Sequence, residues 1–387
     1  MENIYSRNGL RPVINASGRM TKLGVSTISK GVGETLVEAA GNYVVIDDLY
    51  AWAGKRIGEM IGTEDACVTS SASAGIALAV ASLICGNSLQ KVQHLYDILP
   101  DTPKREVILL KGQNVDFGAP IALMAQAGGA KIVEAGYANG SRPGDIEAAV
   151  NEHTLAVLFV KSHHCVQKEM VDARTVIELT RRLGVPCIVD AAAEEDLKAY
   201  AAMGADFVCY SGAKAIEGPT SGFVACRTTE FADNMRLQYK GIGRTMKVGK
   251  ECTMGLVKAI EEYLAGGKPQ AVSLEDLERF AAKTGEIGGL KTSIIQDEAG
   301  REIYRCKIDF DPKRYGLDAK EAVKALQEGN VAVYTRDYQA NIGSVAIDPR
   351  PLNSLEELDT IYRRLLEIHQ SATEGKQSRG EKTNGRA

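Results

Sequence analysis

Apolar and polar positions recur along this chain with two different periods, and the way these alternate divides it. From residue 47 to 227 helical and extended segments take turns. Residues 50–61 carry the spacing of an amphipathic helix. Residues 66–69 form a brief apolar strand that runs into Ser70-Ser71-Ala72-Ser73-Ala74-Gly75, and residues 76–84 predict a helix apolar on nearly every face. Short apolar runs at 106–110, 131–134, 156–160, 185–190, 206–211 and 223–226 predict further strands, and 174–183 predicts a helix with Val176, Ile177 and Leu183 on one side. Alternation of this kind indicates a mostly parallel sheet with helices on both faces.

Past Gly249 the pattern changes. Residues 251–264 and 274–283 read as helices, 304–310 as a strand, 319–329 as a helix, 331–334 and 343–347 as strands, and 355–369 as a closing helix. Strand, helix, strand, strand, helix is an α+β unit. The expected organisation is an N-terminal arm over 1–46, a large α/β domain over 47–246, a smaller C-terminal domain over 247–370, and a tail over 371–387. That tail is rich in Gly, Ser and charge with no apolar anchor, so disorder is expected. No repeat of solenoid length is visible.

Composition narrows the function class. With 387 residues, 44% hydrophobic and 25% charged, the chain has the make-up of a globular protein with a sizeable core. A net charge of −4 and a pI near 5.9 leave room for a local cationic pocket but not for a broad nucleic-acid surface, so no nucleic-acid partner is expected. The eight cysteines are scattered, several inside apolar runs, with no C-x-x-C pair; they read as buried reduced thiols and predict no metal site. The N-terminus lacks an export pattern and the longest apolar stretch, residues 72–85, is too short to span a bilayer. The expected compartment is the cytoplasm, with no membrane partner.

The chemistry gathers around two residues. Val185-Pro186-Cys187-Ile188-Val189-Asp190 is a strand with a carboxylate at its C-terminal end, where open α/β sheets hold their ligands. The next strand delivers Lys214 on a turn of small residues, Ser211-Gly212-Ala213-Lys214, with Gly218-Pro219-Thr220-Ser221-Gly222 following. An acid and a lysine so placed suit pyridoxal 5'-phosphate (PLP): the lysine forms the Schiff base and Asp190 keeps the pyridine nitrogen protonated. Taken singly, Lys214 could be a surface charge and Asp190 a helix N-cap. The segment Ser70-Ser71-Ala72-Ser73 fits either an ordinary serine cap or an anion site for the cofactor phosphate, which Ser211 would approach from the other side.

These residues resemble those of the fold-type I PLP enzymes, and within them the branch containing bacterial selenocysteine synthase (L-seryl-tRNA selenium transferase) and its shorter relatives. The resemblance spans residues 13–352. It rests on Val13-Ile14-Asn15-Ala16-Ser17-Gly18, the Gly54-Lys55-Arg56 helix, Val68-Thr69-Ser70-Ser71-Ala72-Ser73-Ala74, Val189-Asp190-Ala191-Ala192, and the Lys214 segment. It implies a PLP-dependent lyase that eliminates water and ammonia from a small phosphorylated 2-amino-3-hydroxy acid, D-glucosaminate 6-phosphate first, and a homodimer or higher homo-oligomer. Twelve residues precede Val13, so the tRNA-binding domain of the selenium transferases is not expected. Transfer on seryl-tRNA, and a non-catalytic PLP-fold binding protein, remain the alternatives.

The same resemblance gives other residues a role. An arginine of the small domain commonly grips the substrate carboxylate in this fold, and Arg350 in Asp348-Pro349-Arg350-Pro351 is the candidate, a surface-turn arginine being the equal alternative. Arg19 with Lys22, or Arg244 and Lys247 with Lys250, would neutralise a phosphate, unless they are solvated faces. Gln113 occupies the region where related enzymes pack a residue on the pyridine ring. His163-His164-Cys165 predicts a poor chelate, because adjacent strand side chains point to opposite faces; His163 is instead assigned a place facing the cofactor.

Overall fold

The computed structural model describes residues 3–116, 118–298 and 300–384, with side chains described as far as Glu374. Among them the strands are β1 (Val13–Ala16), β2 (Asp65–Thr69), β3 (Glu106–Leu110), β4 (Lys131–Ala135), β5 (Thr154–Val160), β6 (Cys187–Asp190), β7 (Phe207–Ser211), β8 (Gly222–Cys226), β9 (Leu290–Gln296), β10 (Tyr304–Phe310), β11 (Ala332–Thr335) and β12 (Ser344–Ile347). The chain forms two compact units. Thr27–Lys268 is one; the residues up to Ser26 join those from Pro269 onward in the other.

In Thr27–Lys268 seven strands lie in the order β2-β8-β7-β6-β5-β3-β4. β4, β3, β5, β6 and β7 run parallel in succession, while β8 is antiparallel to both β7 and β2. The strands are apolar on both faces because alternate residues feed two cores. Ile108, Leu110, Val157 and Val189 face one; Val107, Leu109, Leu158 and Ile188 face the other. Helices Ile46–Ile61, Ala173–Leu183 and Lys250–Leu264 supply Ile57, Val176, Ile177, Leu256 and Ile260 to the first core. Helix Ala72–Cys85 is buried over nearly its whole surface in the second, which is why its sequence is apolar all round.

The other unit holds two small sheets. β1 pairs in parallel with β11, Val13 opposite Ala332 and Ala16 opposite Thr335. β12, β10 and β9 form an antiparallel sheet, and a bridge between Arg336 and Ala346 follows the end of β11. Helices Leu274–Gly285, Ala319–Gln327 and Leu355–Asn384 pack Leu277, Phe280, Ala322, Leu326, Ile361 and Leu365 with Ile14, Ile308, Val333 and Ile347 into a third core.

The division differs from the sequence-based boundaries at three points. Residues 13–16 are no arm: β1 is a strand of the C-terminal unit, a pairing across more than 300 residues that periodicity does not reveal. Helix Lys250–Leu264, expected in the small domain, belongs to Thr27–Lys268, because Leu256, Val257 and Ile260 complete the first core. The expected disordered tail continues helix Leu355–Asn384 as far as Asn384; it contains no proline, and adding a residue to an existing helix costs far less than starting one. Residues 385–387 lie outside the described residues. Strand β9 and helix Lys30–Ala40 are further elements that the periodicity does not predict. β9 reads Leu-Lys-Thr-Ser-Ile-Ile-Gln with no clean alternation, and seven residues paired with β10 make it a strand. Among the described residues no helix is long and apolar enough to cross a membrane.

Candidate active site

Strand register brings the predicted residues of Thr27–Lys268 to one edge of the sheet. Val160 lies opposite Asp190, Asp190 opposite Cys209, and Gly222 opposite both Ser211 and Thr69. The carboxyl ends of β2, β5, β6 and β7 are thereby aligned, where an open α/β sheet leaves a crevice. Gly222 is the closest contact in this row. A Cβ there would fall 2.6 Å from the Ser71 carbonyl carbon, 2.7 Å from the Tyr210 oxygen and 2.9 Å from the Ala72 nitrogen. Only glycine lets β8 pass between the serine segment and β7.

The serine segment caps a helix, one of the two roles its sequence allowed. Ser71 is the N-cap of helix Ala72–Cys85, its Oγ accepting from the Ala74 amide at 3.0 Å, and the Thr69 hydroxyl donates to the Ser71 carbonyl at 2.8 Å. Ser70 and Ser71 are half-buried, Ala72 is buried and Ser73 is exposed. A 14-residue helix thus presents its positive end beside Ser70.

Asp190 ends β6. Its carboxylate accepts the Ala192 amide at 3.1 Å, and its carbonyl accepts the Lys161 amide at 2.9 Å. Burial raises its pKa above the usual carboxylate range, and the Lys214 charge and the Ala192 amide oppose that rise without cancelling it. The thiols of Cys165 and Cys209 stand near enough to feel Asp190. Burial first, and Asp190 second, push Cys165 up to about 12 and Cys209 well above its ordinary value, so both stay neutral.

Lys214 is half-buried in a loop closed on itself. The Gly212 amide donates to Ser221 O and the Gly218 amide to Gly212 O, both at 2.8 Å, and the Glu217 amide donates to Lys214 O at 3.2 Å. Glu217 is held at φ +56°, a left-handed conformation costing a non-glycine residue about 1 kcal/mol or more. Ser211 ends β7 next to this loop, its amide directed at Ala192 O at 3.4 Å.

Other expectations meet different fates. The Gln113 side-chain oxygen accepts the Val160 amide at 2.9 Å, bracing the turn after β3 against β5. His163 and His164 follow β5 in a turn, so strand alternation does not apply to them: their rings touch, centroids 3.8 Å apart at 46°. Opposite faces were expected, and the turn puts them together. Arg244 and Lys247 are exposed, whereas Lys250 caps helix Lys30–Ala40 by donating to Ala39 O at 2.8 Å and to Ala40 O. Arg350 and Arg19 belong to the other unit. There Arg350 donates Nε and Nη2 to the two oxygens of Asp348, at 3.0 and 2.7 Å. Gly18, at φ +112°, brings the Arg19 segment alongside, with its Cβ position 3.3 Å from Asp348 Oδ2. The Asp297–Arg305–Asp348 group beside Arg350 was missed; an arginine inside the apolar strand 304–310 was the available signal.

Comparisons with known proteins establish the family. The family model described as L-seryl-tRNA selenium transferase matches residues 13–287. D-glucosaminate-6-phosphate ammonia lyase of Salmonella typhimurium is 42% identical over 96% of this chain and 99% of that protein. A solved structure of D-glucosaminate-6-phosphate ammonia-lyase superposes with a TM-score of 0.87 at 41% identity, covering 96% of this chain and all of the other. The 5'-C-glycyluridine monooxygenase-decarboxylase of a Streptomyces species is 38% identical over 94% of this chain and 91% of its own length. Serine palmitoyltransferase of Sphingomonas wittichii shares the fold alone, with a TM-score of 0.59 at 13% identity over 93% of this chain and 88% of its own. The chain has the fold-type I architecture and belongs to the L-seryl-tRNA selenium transferase family.

Proposed function

We propose that this protein is a PLP-dependent ammonia-lyase that converts D-glucosaminate 6-phosphate to 2-keto-3-deoxygluconate 6-phosphate and ammonia. The observation that carries the reading is near full-length similarity, in sequence and structure, to D-glucosaminate-6-phosphate ammonia lyase. The residues present fit the cofactor. Asp190 is a half-buried carboxylate whose ionised form is disfavoured by desolvation, and a protonated ring nitrogen would supply the cation that favours it. Lys214 would hold PLP covalently; Ser70, Ser71, Ala72, Ser73 and Ser211 would surround its phosphate at the helix N-terminus; Gln113 and His163 would flank the ring. When bound, PLP supplies the electron sink that stabilises negative charge at the substrate Cα.

The rest falls to the protein. Lys214 would accept the Cα proton of the bound substrate on its amine. Asp190 would face the ring nitrogen with its carboxylate. The C3 hydroxyl leaves as water with a proton from Lys214 or His163. Water returned to the dehydrated amine then yields keto acid and ammonia, so water is lost and regained and the net change is loss of ammonia. Arg350 and Arg19, or Arg244 and Lys247, would hold the substrate's anionic groups.

The active form is a homo-oligomer in this reading. Val37, Val44, Val45, Ile46, Trp52 and a fully exposed Tyr43 lie within 16 residues of sequence, an apolar stretch suited to a second copy. The eight cysteines, all unpaired, support a reducing, cytoplasmic setting.

A coupled assay for keto acid and ammonia with D-glucosaminate 6-phosphate is the decisive measurement. Equimolar products support the proposal. Oxygen uptake with carbon dioxide release from an amino acid would favour chemistry of the kind named for the Streptomyces relative, and turnover of seryl-tRNA with selenophosphate would favour the selenium transferases. No turnover of any amine would favour a binding protein.

A further inference from the structure

Helix Lys250–Leu264 touches the Lys214 loop and the loop that follows Asp190 from a single face. Gly255, Ala259 and Tyr263 recur at intervals of four and so lie along one ridge, about 12 Å from end to end. Gly255 meets the Lys214 loop at Pro219: a Cβ on Gly255 would stand 3.1 Å from Pro219 Cγ and 2.9 Å from Leu36 Cδ2. Ala259 meets the same loop at Gly218, where an added Cβ would fall 3.1 Å from the Ala259 Cβ. Between them Leu256 approaches Gly212, whose Cβ position lies 2.7 Å from Leu256 Cδ1. Tyr263 reaches the other loop, its hydroxyl donating to Glu195 O at 2.6 Å, five residues beyond Asp190.

The helix is fixed at both ends. Lys250 is bonded to Ala39 O and Ala40 O, while Glu261 accepts from Arg56 at 2.9 Å and Glu262 accepts from the Ser29 hydroxyl. Leu256, Val257 and Ile260 are packed in the first core. The Lys214 loop, for its part, is braced as one piece. Ser221, 2% exposed, donates Oγ to Pro219 O at 2.8 Å, and the Gly218 amide is held by Gly212 O. A displacement of Pro219 is therefore passed on toward Gly212 and Lys214 rather than absorbed. Glycine at 255 brings no local gain, since it weakens a helix interior relative to alanine. Leu36 could swing its end aside to admit a methyl there, but the Pro219 ring is closed on its own backbone and cannot.

We propose that the Gly255–Ala259–Tyr263 ridge is a template that sets where Lys214 stands relative to Asp190, and that these three are positioning residues for the cofactor lysine. Gly255 and Ala259 fix how closely the Lys214 loop sits on the helix, and Tyr263 ties the loop after Asp190 to the same rigid element. The inference rests on the reading of Lys214 as the residue that holds PLP.

The test follows loss of the visible cofactor band from PLP-loaded protein in excess hydroxylamine, which captures PLP from the lysine, alongside thermal unfolding of the unloaded protein. Gly255→Ala should raise the capture rate by about threefold or more, while its unfolding midpoint stays level or rises. A glycine needed for packing alone would lower the midpoint and leave the rate unchanged. Adding Pro219→Ala removes the ring that the new methyl meets, and should return the rate to within about twofold of Pro219→Ala alone. Tyr263→Phe, which removes the bond to Glu195 O without adding volume, should give a smaller rise. If Gly255→Ala does not fold, Tyr263→Phe decides, a wild-type capture rate overturning the template. An unchanged rate in folded Gly255→Ala, or a rise that persists with Pro219→Ala added, overturns it as well. A band that survives in Lys214→Ala sinks the reading of Lys214 and the template together; a Lys214-dependent band with unchanged variant rates sinks the template alone.

Discussion

Asp190, half-buried, and Asp348, fully buried, are both aspartates at strand ends, and their pKa values move in opposite directions. In Thr27–Lys268 burial wins and Asp190 rises. In the other unit burial would also raise Asp348, but Arg350 and Arg305 overcome it and hold the carboxyl well below the usual range; Arg301 and Arg305 do the same for Asp297. Asp348 is a finished structural ion pair. Asp190 is a carboxylate still short of a strong cationic partner, and an unfinished buried charge is the better mark of a ligand site.

The largest effect should come from the unfinished side. Lys214→Ala is expected to lower turnover by about 10⁴-fold or more and to abolish the adduct trapped by borohydride on PLP-loaded protein. A reducible covalent adduct persisting in the variant would show that another lysine carries the cofactor.

Next comes the finished side. Asp348→Ala strands Arg305 and Arg350 in a desolvated place and should cost about 3–5 kcal/mol in denaturant unfolding. The depressed pKa values of Asp297 and Asp348 place their stabilisation above the unfolded carboxylate pKa, near about 3.9. It is lost as pH falls from there toward the folded values, so removing Asp348 should flatten the acid limb of the stability curve. An acid limb with the wild-type slope would mean that the pair contributes nothing.

A smaller change should follow Gly222→Ala. The methyl must displace the Ser71–Ala72 peptide, with about 1–3 kcal/mol lost and PLP affinity falling further than overall stability, since the shifted peptide begins the helix proposed to hold the phosphate. Equal losses in both would point to a packing role alone.

The smallest effect has the most telling sign. A carboxyl with a raised folded pKa lends stability below its unfolded pKa and loses it as pH rises through the folded value. At neutral pH Asp190 therefore costs stability when PLP is absent. Asp190→Asn should raise the unfolding midpoint of apo-protein slightly at pH 7, not at pH 3, while weakening catalysis by the holoenzyme. A lower midpoint for the apo variant at pH 7 would show that Asp190 is already satisfied, as Asp348 is.

Local pattern sufficed for much of the larger unit. Its strands are continuous apolar runs because both faces are covered, and its loops carry Ser70–Ser73, Asp190 and Lys214 at strand ends; β6 and β7 are neighbours in sequence and in the sheet, whereas β2 is brought beside β8 only by the fold. The smaller unit was far less legible. β1 lies more than 300 residues from its partner β11, and β9 shows no alternation. The helix over 250–264 could have joined either domain until the core that receives Leu256 and Ile260 was known.

Residue identities and short-range spacing thus determined the sheet class, the Asp190–Lys214 pair and the serine segment, because period and strand-end position are local properties. Which arginines meet a carboxylate was decided by packing. Arg350, in sequence a substrate fork or equally a surface-turn arginine, is bonded to Asp348, whereas among the described residues Arg336 has no carboxylate within ion-pair distance. Likewise His163 and His164 meet because a turn, not a strand, carries them. A charge's partner is set by neighbours distant in sequence and close in space, and by desolvation, neither of which a local pattern contains.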